Sequence, residues 1–467
     1  MRPMQDLFDD PSGFMPAYHQ NATCDPFTAR NSTCLQGNYA QYAIKVTGPE
    51  DVQAGLKFAQ EKNVRLVIKN TGHDYLGKST GKGALSLWMH NLKTISFSNY
   101  TGAAYTGPSV KMGAGVQAFE AYAAADKVGL NVVGGQCPTV GIAGGYSQGG
   151  GHSLLSSKHG LGADQALEWE ALSGGGGGTY GVVISLTSKA YPYDKVGGVS
   201  LQFASASAND DTLWDAVTFF QKVSLPTIVD AGAHVQWAVF GPMFILTEAT
   251  IPGATEDDMR TVFSSFTTYL SDHGIQYQMN VTSYPTFYQH TDKYIGPLPY
   301  GTTPASQIQG GVMVSRSTAV NDTDTLVNVL RNISTTYPQF GIASYAMDVS
   351  RSPSFPNAVL PAWREQLSYF VIMQFWNYTI PVSAMAEQER ISTEEVISPL
   401  QDIASGAYMN EADFRNPRWR EEFYGENWDR LVEVKRKWDP RGVLYAATAV
   451  GSDEWVVKGD GRLCRAV

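Results

Sequence analysis

The sequence predicts an α+β protein in at least two parts, and three observations carry that expectation. Before about Pro192, helical stretches alternate with short β-branched runs and two glycine-dense loops. After it, alternating apolar runs typical of antiparallel strands are interleaved with amphipathic helical stretches. The length of 467 residues allows two or three domains and burial of about three quarters of the unfolded surface.

Taken in order, 50–67 reads as a helix running into a strand. Val52, Leu56, Phe58 and Ala59 share one face, and Val64 to Ile68 is β-branched and alternating. A loop follows, Asn70-Thr-Gly-His-Asp-Tyr-Leu-Gly-Lys-Ser79. Strands are expected over 84–89, 104–107 and 110–113, then an alanine-rich helix over 116–127. Next come a glycine-dense stretch from Gly134 to His152 and a second from Ser173 to Val183. Beyond Pro192, the runs 235–240, 244–248, 343–349 and 369–375 read as strands. Helices are expected over 212–223, 256–273 and 322–336. That pattern implies one sheet with helices on a face. A charged amphipathic helix over 418–437 is stopped by Asp439-Pro-Arg-Gly442. No internal repeat or low-complexity tract interrupts this order.

Composition narrows the function. Hydrophobic residues make up 43% and charged residues 17%, ordinary for a globular enzyme. A net charge of -10 supplies no concentrated basic face, so no nucleic-acid partner is expected. No apolar run approaches the roughly 18–20 residues of a membrane helix, so no membrane partner is expected either. The N-terminus shows no hydrophobic signal core. Glycosylation sequons nevertheless occur at Asn21, Asn31, Asn99, Asn280, Asn321, Asn332 and Asn377, which argues for secretion, N-linked glycans and a signal peptide already removed. In an oxidising compartment Cys24 and Cys34 are suited to close a short disulfide loop, the alternative being two free thiols. Cys137 and Cys464 have no evident mate, and no metal site is expected.

Glycine loops let backbone amides approach a diphosphate closely. No G-x-G-x-x-G lies between a first strand and a helix, which disfavours a Rossmann site. What distinguishes these loops is an embedded histidine, His73, and an embedded cysteine, Cys137. The run Lys69 to Ser79 resembles the flavin-attachment loop of the berberine-bridge-enzyme-like oxidases, members of the vanillyl-alcohol-oxidase (PCMH-type) flavoprotein fold. Cys137-Pro-Thr-Val-Gly-Ile-Ala-Gly-Gly-Tyr-Ser-Gln-Gly-Gly-Gly151 resembles that family's second attachment loop. Phe423-Tyr-Gly-Glu-Asn-Trp-Asp-Arg-Leu-Val-Glu-Val-Lys-Arg-Lys-Trp-Asp-Pro-Arg-Gly-Val-Leu-Tyr445 resembles its terminal helix and strand. The likeness runs from about Cys24 to Asp453 and is nearest the secreted, isoamyl-alcohol-oxidase-like members.

The resemblance implies an FAD bonded at its 8α-methyl to His73 and at C6 to Cys137. It implies an FAD-binding part over 1–194, a substrate domain over 195–404 and a C-terminal segment over 405–467 that returns to the first part. Cofactor contacts are expected from Asn70, Thr71, Gly72, Asp74 and Ser79 in the first loop. The second loop would contribute Gly134, Gly135, Thr139, Gly141, Gly144, Gly145, Gly150, Gly151 and His152. Gly181, Val182, Val183, Asn410 and Asn427 complete the set. Val140 matches the position that gates oxygen, where a small valine accompanies oxidase behaviour and hydrogen peroxide release.

For the base, the family's Tyr-x-Asn-Tyr-x-Asp becomes Tyr408-Met-Asn-Glu-Ala-Asp413, with Glu411 in place of the second tyrosine. Glu411, Tyr408 or a middle-domain residue then remains open as the base; a buried carboxylate serves if its pKa rises toward neutrality. Trp237, Phe240, Tyr345, Met347, Phe375 and Trp376 are candidate walls of an apolar or sugar-stacking pocket. The expected reaction oxidises an alcohol, a sugar or a related small molecule in a monomer, with O2 as acceptor. Oxidative ring closure and a redox-vestigial binding protein are the alternatives. Finally, Ala163 to Glu170 runs as a strand into Ala171-Leu-Ser and five glycines with no turn residue, so a missing segment is expected between Glu170 and Ala171.

Overall fold

The computed structural model describes residues 9–13, 15–20, 29–31, 33–172, 179–301, 306–350 and 357–466. Three short strands, β1 (Tyr42–Lys45), β2 (Leu66–Lys69) and β3 (Leu85–Trp88), form a parallel sheet in the order β1-β3-β2. The helix Pro49–Lys62 makes the crossover. Pro49 at its start presets φ, Glu50 and Asp51 favour its first turn, and Asn63 ends it in the left-handed region at φ 52°. Late in the chain Leu444 returns to bridge Leu66 in parallel.

A second sheet holds β4 (Ile95–Thr101), β5 (Thr106–Gly113), β6 (Leu130–Val132), β7 (Ala166–Leu172) and β8 (Val182–Pro192). Its order is β4-β5-β8-β6, with β7 also paired to β8. The helix Ala118–Asp126 turns its alanine side inward, burying Ala118, Ala121, Tyr122 and Ala125. These elements share one apolar core.

The following strands are β9 (Val196–Ala204), β10 (His234–Phe240), β11 (Met243–Pro252), β12 (Tyr277–Tyr284), β13 (Gln307–Ser315), β14 (Gly341–Ala346) and β15 (Gln366–Phe375). They make one antiparallel sheet in the order β12-β9-β11-β10-β14-β15-β13. The helices Asp211–Phe219, Glu256–Asp272 and Thr323–Thr336 bury their apolar stripes with this sheet, around Trp214, Phe220, Trp237, Phe244, Phe263 and Phe266. A small hairpin of β16 (Trp455–Val457) and β17 (Leu463–Arg465) follows the terminal helix. No helix among the described residues is long and apolar enough to cross a membrane.

Two expectations change. The terminal helix is two pieces, Trp419–Tyr424 and Trp428–Trp438, because Gly425 at φ 53° ends the first. The runs 104–107 and 110–113, apart from Ala104 and Tyr105, fall in the single strand β5, which pairs with the unexpected β4. Between Glu170 and Ala171, where a missing segment was expected, the pairing of β7 with β8 is irregular. β7 continues through both residues with only a register shift against β8, where Glu170 faces Ser185 and Ala171 faces Val183. β8 is the antiparallel partner of β7 across the intervening loop. Cys24 of the expected disulfide and the glycines 174–178 lie outside the described residues.

Candidate active site

A cavity of about 710 Å³ opens where the first loop, the glycine-dense second loop and the C-terminal segment meet the inner face of the seven-stranded sheet. The first loop is shaped from within: the Asp74 carboxylate accepts the amides of Leu76 at 3.0 Å and Ser79 at 2.6 Å. The second loop comes close because it lacks side chains. A Cβ on Gly141 or Gly144 would lie 2.8 or 2.9 Å from Asn70 Nδ2, which donates to the carbonyl of Ala114 at 2.5 Å.

That approach sets His73 beside Cys137. His73 Nε2 lies 2.7 Å from Thr139 Oγ1 and 4.0 Å from Cys137 Sγ, and the thiol is 3.6 Å from the same hydroxyl. Burial pushes the His73 imidazole down to about 3, and the ammonium of Lys69 adds to that push. At neutral pH His73 is therefore an uncharged imidazole with a usable lone pair. Lys78, on the same wall, is pushed down by burial to about 8 and partly restored by Asp74.

A second group lies against the sheet. Glu411 Oε1 contacts His152 Nε2 at 3.1 Å, while Glu411 Oε2 is buried and takes no hydrogen bond among the described residues. The His152 ring packs against Tyr345, Tyr408 and Trp363 with centroids 4.7, 5.8 and 6.4 Å away. Tyr408 is held far above its ordinary pKa by burial and by the Glu411 charge, so it is a proton donor and not a base. Asn410 Nδ2 donates to Tyr408 Oη and to the carbonyl of Gly145, both at 2.7 Å. The replacement noted in the sequence thus places a carboxylate against an imidazole at the cavity wall.

Most expected residues line this cavity: Asn70 to Asp74, Ser79, Gly135, Cys137, Val140, Gly141, Gly144, Gly145, His152, Val183, Tyr408, Asn410 and Glu411. Gly134, Thr139, Gly150, Gly151, Gly181, Val182 and Asn427 do not. Thr139 acts through its bond to His73, Val182 is core, and Asn427 binds the carbonyl of Val359. Of the six aromatic and Met candidates for pocket walls, only Tyr345 lines it. Trp237 is fully buried in the helix-side core among Phe220, Phe244 and Phe370. Met347 is buried beneath the site, Phe240 and Phe375 are exposed, and Trp376 packs at the edge of the core. Strand alternation explains the error. Gln236, next to Trp237, faces the cavity, pairs in register with Tyr345, and accepts from Gln136 Nε2. Tyr75, Lys78, Gln136, Gln236 and Thr247 were missed; the period-two pattern of β10 was the available signal for Gln236.

The cavity fits the FAD that the sequence suggests. Its volume lies in the range of cofactor sites. Glycines form a cradle that a Cβ would fill, and Asn70 Oδ1, Tyr180 Oη and His152 Nδ1 are buried with no hydrogen-bond partner among the described residues. Residues 40–180 match the family model "FAD binding domain", and 407–451 match "Berberine and berberine like". A VAO-type flavoprotein oxidase of Thermothelomyces thermophilus is 42% identical over 474 residues, covering 96% of this chain and 82% of its own length. That alignment is longer than this 467-residue chain, so the relative has residues within the matched region that this chain lacks. A bifunctional decalin synthase of Penicillium decumbens is 39% identical over 474 residues, covering 96% of this chain and 82% of its own. The crystal structure of a VAO-type flavoprotein from Myceliophthora thermophila superposes with a TM-score of 0.94 at 39% identity, over 99% of this chain and 88% of that one.

Proposed function

The chain belongs to the berberine-bridge-enzyme-like, VAO-type FAD-linked oxidoreductases, and from that premise we propose a secreted oxidase whose FAD is bonded to both His73 and Cys137. It is an FAD-dependent oxidoreductase; the finer reading is ours. One observation carries it: an uncharged imidazole and a thiol 4.0 Å apart on the wall of a cavity that the Glu411–His152 pair also lines.

Asn70, the loop around His73 and the glycines 141–145 would hold the FAD, with Thr139 fixing the His73 ring. When bound, the flavin supplies the acceptor for a hydride equivalent, and O2 takes the electrons afterwards. The protein's own task is the proton. Glu411 Oε2, buried with no partner among the described residues, is the acceptor for a substrate hydroxyl proton, and His152 holds Glu411 through its other oxygen. Tyr408 keeps its proton and orients Asn410. Tyr345, Gln236, Gln136 and Thr247 form a wall that is polar and aromatic, which suits a hydroxylated substrate such as a sugar or an alcohol.

Val140, partly open to the cavity, leaves the passage for O2. Every sequon asparagine among the described residues, Asn31, Asn99, Asn280, Asn321, Asn332 and Asn377, is exposed, which supports N-linked glycans and export. The Cys24–Cys34 disulfide, a monomeric state and a small-molecule substrate belong to the same proposal. The decalin synthase relative favours a second reading, oxidative cyclisation; product analysis separates the two, since ring closure adds no carbonyl.

The test is acid denaturation. Wild-type protein should keep its yellow colour after unfolding and washing. His73→Ala should retain flavin through Cys137, Cys137→Ala through His73, and the double variant should lose it. Flavin that washes free from the wild type refutes the attachment.

A further inference from the structure

FAD carries its negative charge on a diphosphate, and the cavity that fits it is poor in positive charge. Among the described residues, Lys78 is the only lysine or arginine that lines it, and the carboxylates of Asp74 and Glu411 line it too. A dianion placed near two carboxylates is repelled unless a cation meets it. The amides of the glycine loops supply partial charges only.

The first loop presents Lys78 between two anchored neighbours. Before it, Gly77 turns the chain at φ 73°, and the His19 ring packs where a Cβ would stand. After it, Thr80 Oγ1 donates to the carbonyl of Asn38 at 2.7 Å. Lys78 itself is half-buried, and its ammonium makes no hydrogen bond or ion pair among the described residues. Asp74 is its nearest charge of note but not its partner, since each Asp74 oxygen already accepts an amide, from Leu76 and from Ser79. A desolvated cation without a partner costs free energy, and an anion brought into the cavity removes that cost. Glu411 is not that anion. Its charge acts on Tyr75, Tyr345 and Tyr408, whereas the charge that acts on Lys78 is that of Asp74.

We propose that Lys78 binds the diphosphate of FAD, its ammonium donating to phosphate oxygens while the glycine-loop amides supply the remaining donors. Lys78 is thus a cofactor-binding residue with no part in the proton chemistry of Glu411 and His152. The inference rests on FAD occupying this cavity and not on its attachment to His73 or Cys137.

A pH dependence follows. Burial pushes the Lys78 ammonium down to about 8, against the pull of Asp74. A neighbouring dianion favours the charged form and raises that value again. Below about pH 8 the lysine is charged with or without FAD, so affinity is full and level. Above it, binding must take up a proton, and affinity falls by up to about tenfold per pH unit until the raised value is passed.

The experiment uses the full chain carrying His73→Ala and Cys137→Ala, in which FAD binding is a reversible equilibrium whether or not the wild type is tethered. FAD and riboflavin are the two probes, since riboflavin has the same ring and no phosphate. Lys78→Met should weaken FAD by about ten- to a hundred-fold and leave riboflavin within about twofold. The fall in FAD affinity above pH 8, measured relative to riboflavin, should vanish in Lys78→Met. Lys78→Arg should keep most of the affinity and also lose the fall, because a guanidinium stays charged. An unchanged FAD affinity, or equal losses for both probes, overturns the inference; a merely structural role predicts the equal losses. If the untethered chain takes up no flavin, 31P NMR of wild-type protein as purified decides. Its diphosphate signals should move in Lys78→Met, and signals that stay in place overturn the proposal. Wild-type protein that neither carries nor binds FAD overturns the cofactor reading and this inference together, whereas FAD bound indifferently to Lys78 overturns this one alone.

Discussion

Arg364→Met should destabilise the protein by about 3 kcal/mol, because it strips a buried carboxylate of its cation. Asp164, in the loop before β7, has a fully buried side chain, and Arg364 precedes β15 with less than a quarter of its side chain exposed. The pair is bidentate, Nη2 to Oδ1 at 2.7 Å and Nη1 to Oδ2 at 2.9 Å, and Nη1 also reaches the carbonyl of Val349. After the substitution Oδ1 keeps Asn357 Nδ2 at 2.6 Å and Oδ2 keeps the amide of Leu161 at 2.9 Å. Breaking a buried pair costs about 3–5 kcal/mol, and the two surviving donors with the partial exposure of Arg364 point to the lower end. At a urea slope of about 3 kcal/mol/M this moves the unfolding midpoint down by about 1 M. Arg364→Lys should fall between, since one ammonium cannot make both bonds. Asp164→Leu/Arg364→Met removes both charges and should cost less than the single variant. A midpoint shift under 0.2 M for Arg364→Met, or a double variant worse than the single, would refute this account of the contact.

Val140→Leu should slow reoxidation by O2 several-fold while sparing a dye acceptor, read by stopped-flow; equal loss of both rates would reduce Val140 to packing. Trp237→Ala should cost about 3–5 kcal/mol by leaving a cavity in the core, with the substrate range unchanged. Gln236→Leu, one residue earlier, should change substrate KM with little loss of stability. His290 is pushed down by burial to about 3, below its unfolded value near 6.5. A depressed histidine lends stability that is complete above the unfolded value and drains as pH falls from about 6.5 toward 3. His290→Gln, which keeps a donor for Thr250, should therefore lose its stability deficit relative to wild type by about 1.4 kcal/mol per pH unit below 6.5. Urea midpoints at pH 7, 6 and 5 check this; a constant difference excludes it.

The cofactor half of the site was legible because its constraints are written in single residues. A histidine between Gly72 and Asp74, and a cysteine heading a glycine run, announce two loops that must approach closely. Asn70 packed on Gly141 and Gly144 shows why no larger residue stands there. β13 was not legible for a related reason. It is not among the expected strands; Gly310 and Gly311 interrupt its apolar run, and a Cβ on Gly311 would collide with Tyr369 Oη, so the strand needs glycine to let that tyrosine lie across it.

The substrate half was misread for a reason that reaches beyond this chain. Large aromatics were assigned to the pocket because pockets are rich in them. In a sheet covered on both faces, however, each strand offers alternate residues to a helix-packed core and to the site. On β10 the core takes Val235, Trp237 and Val239, while on the other face Gln236 lines the cavity and His234 is buried against Glu248. On β14, Tyr345 faces the site while Ser344 and Ala346 face away and are buried. The polar residue flanked by bulky apolar ones is then the informative one, since burying it costs free energy unless a partner waits. Applied to β11, this selects Glu248 and Thr250, which contact each other and His234 in the buried face, from the run Leu246-Thr-Glu-Ala-Thr-Ile251. A strand whose polar residues recur at alternate positions on one face of a two-sided sheet marks the face where chemistry is done, and the aromatics between them mark the core.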